Sequence, residues 1–116
     1  MGEPSRLWHV TLTVAGDVVE SLIVRNALGR FRDQRQFLHS LRYDGARAEI
    51  QYWEEADSLL DASSLALRVW DEYRDSAGLP RWEVIGLEVL ERSVFQCRDT
   101  VHAVVVDPLD VAPVPF

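Results

Sequence analysis

The stretch Gln36–Glu55, QFLHSLRYDGARAEIQYWEE, predicts a β-hairpin that is followed directly by the start of a helix. Asp44-Gly45 stands at its centre, and Asp-Gly is a preferred two-residue hairpin turn because its backbone twist matches that of the paired strands. On both sides of the turn apolar and polar residues alternate, which is the period of a half-buried strand. The return strand is predicted to begin at Ala46 and to place Ala48, Ile50 and Tyr52 on its buried face.

The same alternation recurs near the start of the chain and again after its middle. Leu7–Val14 and Trp82–Glu91 are predicted strands, with polar residues on the second face of each. The segments between the strands show helical spacing of apolar residues. The first helix is expected after a capping box formed by Asp17 and Glu20, and the second helix begins near Ser58 and stops before Gly78.

The resulting order, strand-helix-strand-strand-helix-strand, covers residues 6–91 and resembles the ferredoxin-like, or split βαβ, plait. This resemblance implies an α+β fold in which a four-stranded antiparallel sheet carries both helices on one face. Residues 1–92 form the predicted domain. Residues 93–116 form a C-terminal extension, with a candidate fifth strand at residues 101–106 and a proline-rich tail that is swapped, docked or mobile.

Composition excludes several classes of function. The net charge of −7 leaves no basic footprint for nucleic acid, and no apolar run approaches the roughly 20 residues that span a bilayer. All 12 basic residues are arginine, so a Schiff-base, Walker or pyridoxal-phosphate lysine is ruled out. The single cysteine, Cys97, allows no internal disulfide and favours a free thiol in a reducing cytoplasm.

The uncovered face of the sheet is the predicted location of a site. His9 or Thr11 on the first strand is expected to approach Glu49 and Gln51 on the third, and Arg42 completes a candidate ligand-binding set with His9, Glu49 and Gln51. We assign no catalytic residue, cofactor or metal, because the three histidines lie on different elements without ligand spacing. The candidate interface residues on this face are Trp53, Trp82 and Val84.

Five short segments support a closer resemblance. They are Arg42-Tyr43, Arg47–Glu49, Tyr52–Ala56, Ala66–Trp70 and Gly78–Val89. Together they resemble the pattern of short uncharacterised actinobacterial proteins. The resemblance covers about half of the chain and implies the plait and a cytoplasmic origin, but it implies no activity.

The leading functional hypothesis is a non-enzymatic, cytoplasmic protein-interaction domain that self-associates, most simply as a homodimer. An open sheet face with exposed tryptophans has apolar area that a second copy would bury. One alternative is a small-molecule-binding module or a small enzyme that uses the same face. Another is an acidic regulator of a basic protein partner, which only the charge of the chain supports.

Overall fold

The computed structural model describes residues 6–98 and 111–116 of the chain. In this part of the chain, strands and helices alternate before a short helix and a last short strand follow. The elements are β1 (Arg6–Ala15), α1 (Ser21–Gln34), β2 (Leu38–Tyr43), β3 (Arg47–Ala56), α2 (Leu59–Ala77), β4 (Glu83–Glu91), α3 (Arg92–Arg98) and β5 (Pro113–Pro115).

The strands form one mixed sheet in the order β4-β1-β3-β2-β5. The α+β class and the β-α-β-β-α-β element order of residues 6–91 are as predicted, and this order fits a ferredoxin-like plait. The predicted count of four antiparallel strands is wrong, because β5 adds a fifth strand parallel to β2. The candidate strand at residues 101–106 lies outside the described residues.

The core lies between one face of the sheet and the helices α1 and α2. Alternation predicted the buried faces of β1 and β3 correctly: Val10 and Leu12 are fully buried, as are Ile50 and Tyr52. These side chains meet the buried face of α1, where the ring of Phe31 contacts Tyr73 of α2 edge-on at 5.2 Å. Alternation succeeds here because the central strands bury one face continuously.

Both ends of α2 are stopped by the residues that the sequence indicates. The Ser58 hydroxyl accepts a hydrogen bond from the backbone N–H of Asp61 at 3.1 Å, which satisfies one of the unpaired donors of the first turn. Gly78 has a φ of 73°, a left-handed conformation that costs glycine little. Its N–H donates to the carbonyl of Arg74, which ends the helix.

The start of α1 differs from the prediction. The helix begins at Ser21 after Glu20, and no side chain caps it, so the predicted capping box of Asp17 and Glu20 is wrong. The hairpin turn is also shifted by one residue. The N–H of Asp44 donates to the carbonyl of Arg47 at 2.9 Å, which places Gly45 and Ala46 at the centre of the turn and starts β3 at Arg47.

Trp82 lies in the core, so its predicted position on the uncovered face is wrong. Its ring is 5% exposed and lies parallel to that of Trp70, with centroids 6.1 Å apart. Its indole N–H donates to the carbonyl of Asp17 at 2.9 Å. Gly16 permits this position, because a Cβ there would lie 2.5 Å from the indole ring.

Val84 also packs against the core rather than on the uncovered face. The register between β1 and β4 shifts by one residue: Thr13 is opposite Gly86, and Val14 is opposite Val84. The extra residue in β4 is Ile85, which is 61% exposed. This bulge reverses the faces that strict alternation assigns to the start of β4.

Candidate functional site

Two histidines meet on the face of the sheet opposite α1 and α2. The Nε2 atom of His9 lies 2.8 Å from the Nδ1 atom of His39, a distance at which one ring donates a hydrogen bond to the other. Strict alternation along β2 predicts that His39 shares the buried face of Leu41 and Tyr43, and this prediction is wrong. The register of β2 shifts between Leu38 and Ser40, so that His39 is the extra residue and turns toward His9.

Helix α3 covers this histidine pair. The ring of Phe95 stacks on His9 with centroids 3.8 Å apart and an angle of 18° between the planes. It also meets the ring of Trp53 edge-on at 5.1 Å. His9 is therefore only 1% exposed, and this predicted ligand-binding side chain is shielded from solvent.

An ion pair joins the end of α3 to β4. The guanidinium of Arg98 donates to both carboxylate oxygens of Glu88, at 2.9 and 3.2 Å. This hydrogen bonding, more than any other interaction, lowers the pKa of the Glu88 carboxyl, although partial burial acts in the opposite direction. The pair is exposed, so it orients α3 more than it stabilises the fold.

Three of the four predicted ligand-binding residues lie close together, and the fourth does not. Arg42 is directly opposite Glu49, and the amide of Gln51 donates to the Glu49 carboxylate at 2.9 Å. His9 is opposite Trp53, four residues along β3 from Glu49 and so about 13 Å away along the strand. The expected approach of His9 to Glu49 does not occur in this structure, whereas Thr11, the alternative, is directly opposite Gln51.

The C-terminal tail lies beside Arg42 at the far edge of the sheet. The N–H of Phe116 donates to the carbonyl of Tyr43 at 2.9 Å, continuing the pairing of β5 with β2. The guanidinium groups of Arg42 and Arg47 lie 5.4 and 4.2 Å from the centre of the Phe116 ring. The described part of the predicted extension therefore packs on the same sheet as residues 6–91.

A cavity of about 630 Å³ lies beside α3, at the end of the sheet that carries Trp53. We call it the α3 groove. Strands β1 and β3, the residue before β2 and one side of α3 contribute to it. Its lining residues are Leu7, Phe37, Trp53, Glu54, Glu55, Arg92 and Gln96. Of these residues, only Trp53 was predicted as a site residue. Arg92 and Gln96 were missed because a seven-residue helix is too short to show a clear period.

The rim of the α3 groove carries a strained aromatic residue. Phe37 has a φ of 65°, which is rare for a residue with a Cβ atom, and its side chain is 66% exposed. The Phe37 carbonyl accepts a hydrogen bond from the N–H of Trp53 at 2.9 Å, so the strained residue is tied to the floor of the groove. Strain of this kind persists where the surrounding structure holds it, often at binding sites.

Two opposite charges flank the apolar floor of the groove. On one side, Leu7 of β1 is paired with Glu55 of β3. On the other side, Trp8 of β1 is paired with Glu91 of β4, and Arg92 directly follows Glu91. Two strand spacings place the backbones of Arg92 and Glu55 about 10 Å apart. Neither side chain forms an ion pair or hydrogen bond with any described residue, whereas Glu54 is bound to Arg35 at 3.1 Å.

The described residues show neither a metal cluster nor a membrane-spanning helix. In residues 6–98 and 111–116, no group of three histidine, cysteine or carboxylate side chains is placed to hold a metal ion. No helix in these ranges has both the length and the apolar character needed to cross a membrane.

Comparisons with known proteins give a family and similar solved structures. No sequence of a curated protein matches the chain. A solved acylphosphatase from Coxiella burnetii is similar in structure, with a TM-score of 0.41 and 12% identity over 96% of this chain and 94% of that chain. Residues 7–105 match the family model described as a domain of unknown function, DUF8830, and since this range is most of the chain, the chain belongs to that family.

Proposed function

We propose that the protein is a binding domain for a small molecule and that the α3 groove is its binding site. The groove itself carries this proposal. Its volume of about 630 Å³ falls within the range of about 300–1,000 Å³ typical of ligand sites. Leu7, Phe37 and Trp53 give it apolar and aromatic surfaces, and four polar or charged residues border them; ligand sites combine apolar surface with placed polar groups in this way.

Binding is favoured over catalysis because of the position of His9. The imidazole lies beneath Phe95 and is bonded to His39, away from the groove surface. A general base must reach the proton it removes, within hydrogen-bond distance or through one water. His9 is not among the residues that line the α3 groove, so its imidazole is not placed against a ligand bound there.

Indole is a suitable first probe, since it is planar, largely apolar and of the size of one side chain. We expect a titration followed by two-dimensional ¹H–¹⁵N NMR to shift the Trp53 indole and Gln96 amide resonances. The Trp70 indole resonance is the internal control, because its ring is 1% exposed in the core. Shifts that avoid Trp53 and Gln96, or an absence of shifts at millimolar indole, would contradict the proposal.

A second candidate function is self-association, and strand β4 supports it. This strand is nine residues long and lies at the end of the sheet, with no described strand on its outer side. Ile85 is 61% exposed and Leu87 is 36% exposed. An outer strand with unpaired backbone groups and exposed apolar residues is suited to pairing with a second copy. The proposed interface is thus this edge rather than the face that was expected to carry Trp82 and Val84.

Ile85→Lys tests this second candidate. We expect the wild-type protein to have twice its chain mass of 13.2 kDa in light scattering after gel filtration, and Ile85→Lys to be a monomer. The charge would have to be buried against the second strand, which is costly. Leu60→Lys is the matched control, because Leu60 is 74% exposed on α2. A wild-type protein that stays monomeric at micromolar concentration would exclude the dimer.

A further inference from the structure

We infer that the ligand of the α3 groove is an aromatic molecule that carries both a carboxylate and an ammonium group, as an aromatic α-amino acid does. The inference rests on the proposed binding function and adds the chemical class of the ligand. It depends on three features of the groove: its aromatic surfaces, its two opposite charges and the amide of Gln96.

The aromatic side chains of the groove favour a ligand that contains an aromatic ring. Trp53 forms part of the floor, and Phe37 presents an exposed ring at the rim. Aromatic rings attract one another in offset-stacked and edge-to-face arrangements, beyond the gain from burying their area. The indole of Trp53 is held from below by edge contacts with His9 and Phe95, so its orientation is set before a ligand arrives.

The two charged side chains of the groove favour a ligand that carries both a carboxylate and an ammonium group. Arg92 and Glu55 stand on either side of Leu7, and neither has a charged partner among the described residues. A guanidinium binds a carboxylate through two parallel hydrogen bonds, and a carboxylate accepts hydrogen bonds from an ammonium group. A ligand with only one charge would pair with one of these groups and lie close to another group of its own sign.

Gln96 lies one helical turn after Arg92, on the same side of α3. Its amide can both donate and accept hydrogen bonds, so it suits either charged group of the ligand. Glu54 does not compete for the ammonium group, since its carboxylate is bound to Arg35 and the pair is largely shielded from solvent. The available acid and base in the groove are therefore Glu55 and Arg92.

Calorimetric titration of the full chain with four compounds tests the inference. They are L-phenylalanine, phenethylamine (which lacks the carboxylate), 3-phenylpropanoate (which lacks the ammonium group) and L-alanine (which lacks the ring). We expect L-phenylalanine to bind about tenfold more tightly than either singly charged aromatic compound, since each lacks one charge-assisted hydrogen bond. L-Alanine should give no measurable heat.

Substitutions at two exposed residues show which groove residue binds which charged group of the ligand. Arg92→Gln should weaken L-phenylalanine about tenfold but should not weaken phenethylamine, whose ammonium group it relieves of a like charge. Glu55→Gln should weaken L-phenylalanine but should not weaken 3-phenylpropanoate, for the same reason. Arg81→Gln removes an exposed arginine outside the groove and should change no affinity. Equal affinities for the three aromatic compounds would overturn the ligand class and leave the groove as a site. Failure of these compounds and of indole to move the Trp53 resonance would overturn the binding function itself.

Discussion

Replacing Trp82 with alanine is expected to lower the free energy of unfolding by about 3–5 kcal/mol, the usual cost of removing a large aromatic side chain from a core. The indole is 5% exposed, lies against Trp70 and donates to the carbonyl of Asp17. Its loss would leave a cavity and an acceptor without its donor, and both effects destabilise the folded state. The oligomeric state should not change, because the ring is not on the surface.

Urea unfolding followed by far-ultraviolet circular dichroism measures this effect, and light scattering of the same samples measures association. Leu60→Ala is the matched control, since Leu60 is 74% exposed on α2 and lies outside the proposed interface. We expect its stability to stay within about 0.5 kcal/mol of wild type. A Trp82→Ala protein of unchanged stability but altered mass would place Trp82 at an interface and refute the packing described above.

The contrast between Trp82 and the central strands explains where sequence alternation is informative. The central strands β1 and β3 have neighbouring strands on both sides and helices on one face, so period two reports burial directly along them. Trp82 precedes β4, and its side chain is placed by Gly16 and Trp70 rather than by the pleat of a strand. Extending the alternation of β4 back to Trp82 therefore assigns Trp82 to the wrong face of the sheet.

The two β-bulges account for the other residues that were predicted on the wrong face of the sheet. One extra residue in β2 turns His39 toward His9, and one extra residue in β4 turns Val84 toward the core. A bulge depends on the register between two strands, which a single strand's composition does not encode. The proximity of His9 and His39 could therefore not be predicted, even though both residues were visible as histidines on predicted strands.

The α3 groove depends on still longer-range relations. Phe95 is 86 residues after His9 in the chain, yet its ring stacks on the His9 imidazole. The short helix that carries it shows one buried side chain and no repeat. Strand β5 was missed for a related reason, because its sequence Pro-Val-Pro contains two residues that cannot donate to a ladder. Only the tertiary arrangement reveals that α3 covers a face of the sheet and that β5 extends its edge.

Replacing Phe95 with alanine is expected to release α3 from the sheet and to abolish ligand binding in the groove. A seven-residue helix is too short to persist alone, and the exposed Arg98–Glu88 pair contributes at most about 1 kcal/mol. Loss of the Phe95 ring should cost about 3 kcal/mol. Amide exchange in α3 should then be roughly a hundredfold faster, since each 1.4 kcal/mol is a factor of ten.

Hydrogen–deuterium exchange with mass spectrometry checks this, with peptides from β1 as the internal reference. Phe95→Leu is the matched control, because leucine keeps an apolar side chain against His9 and should retain most of the protection. The same Phe95→Ala protein should show no indole-dependent shift of Trp53, since Arg92 and Gln96 would no longer form the groove wall. Unchanged exchange in α3, or an unchanged response of Trp53 to indole, would mean that α3 is held to the sheet by contacts other than the stacking of Phe95 on His9.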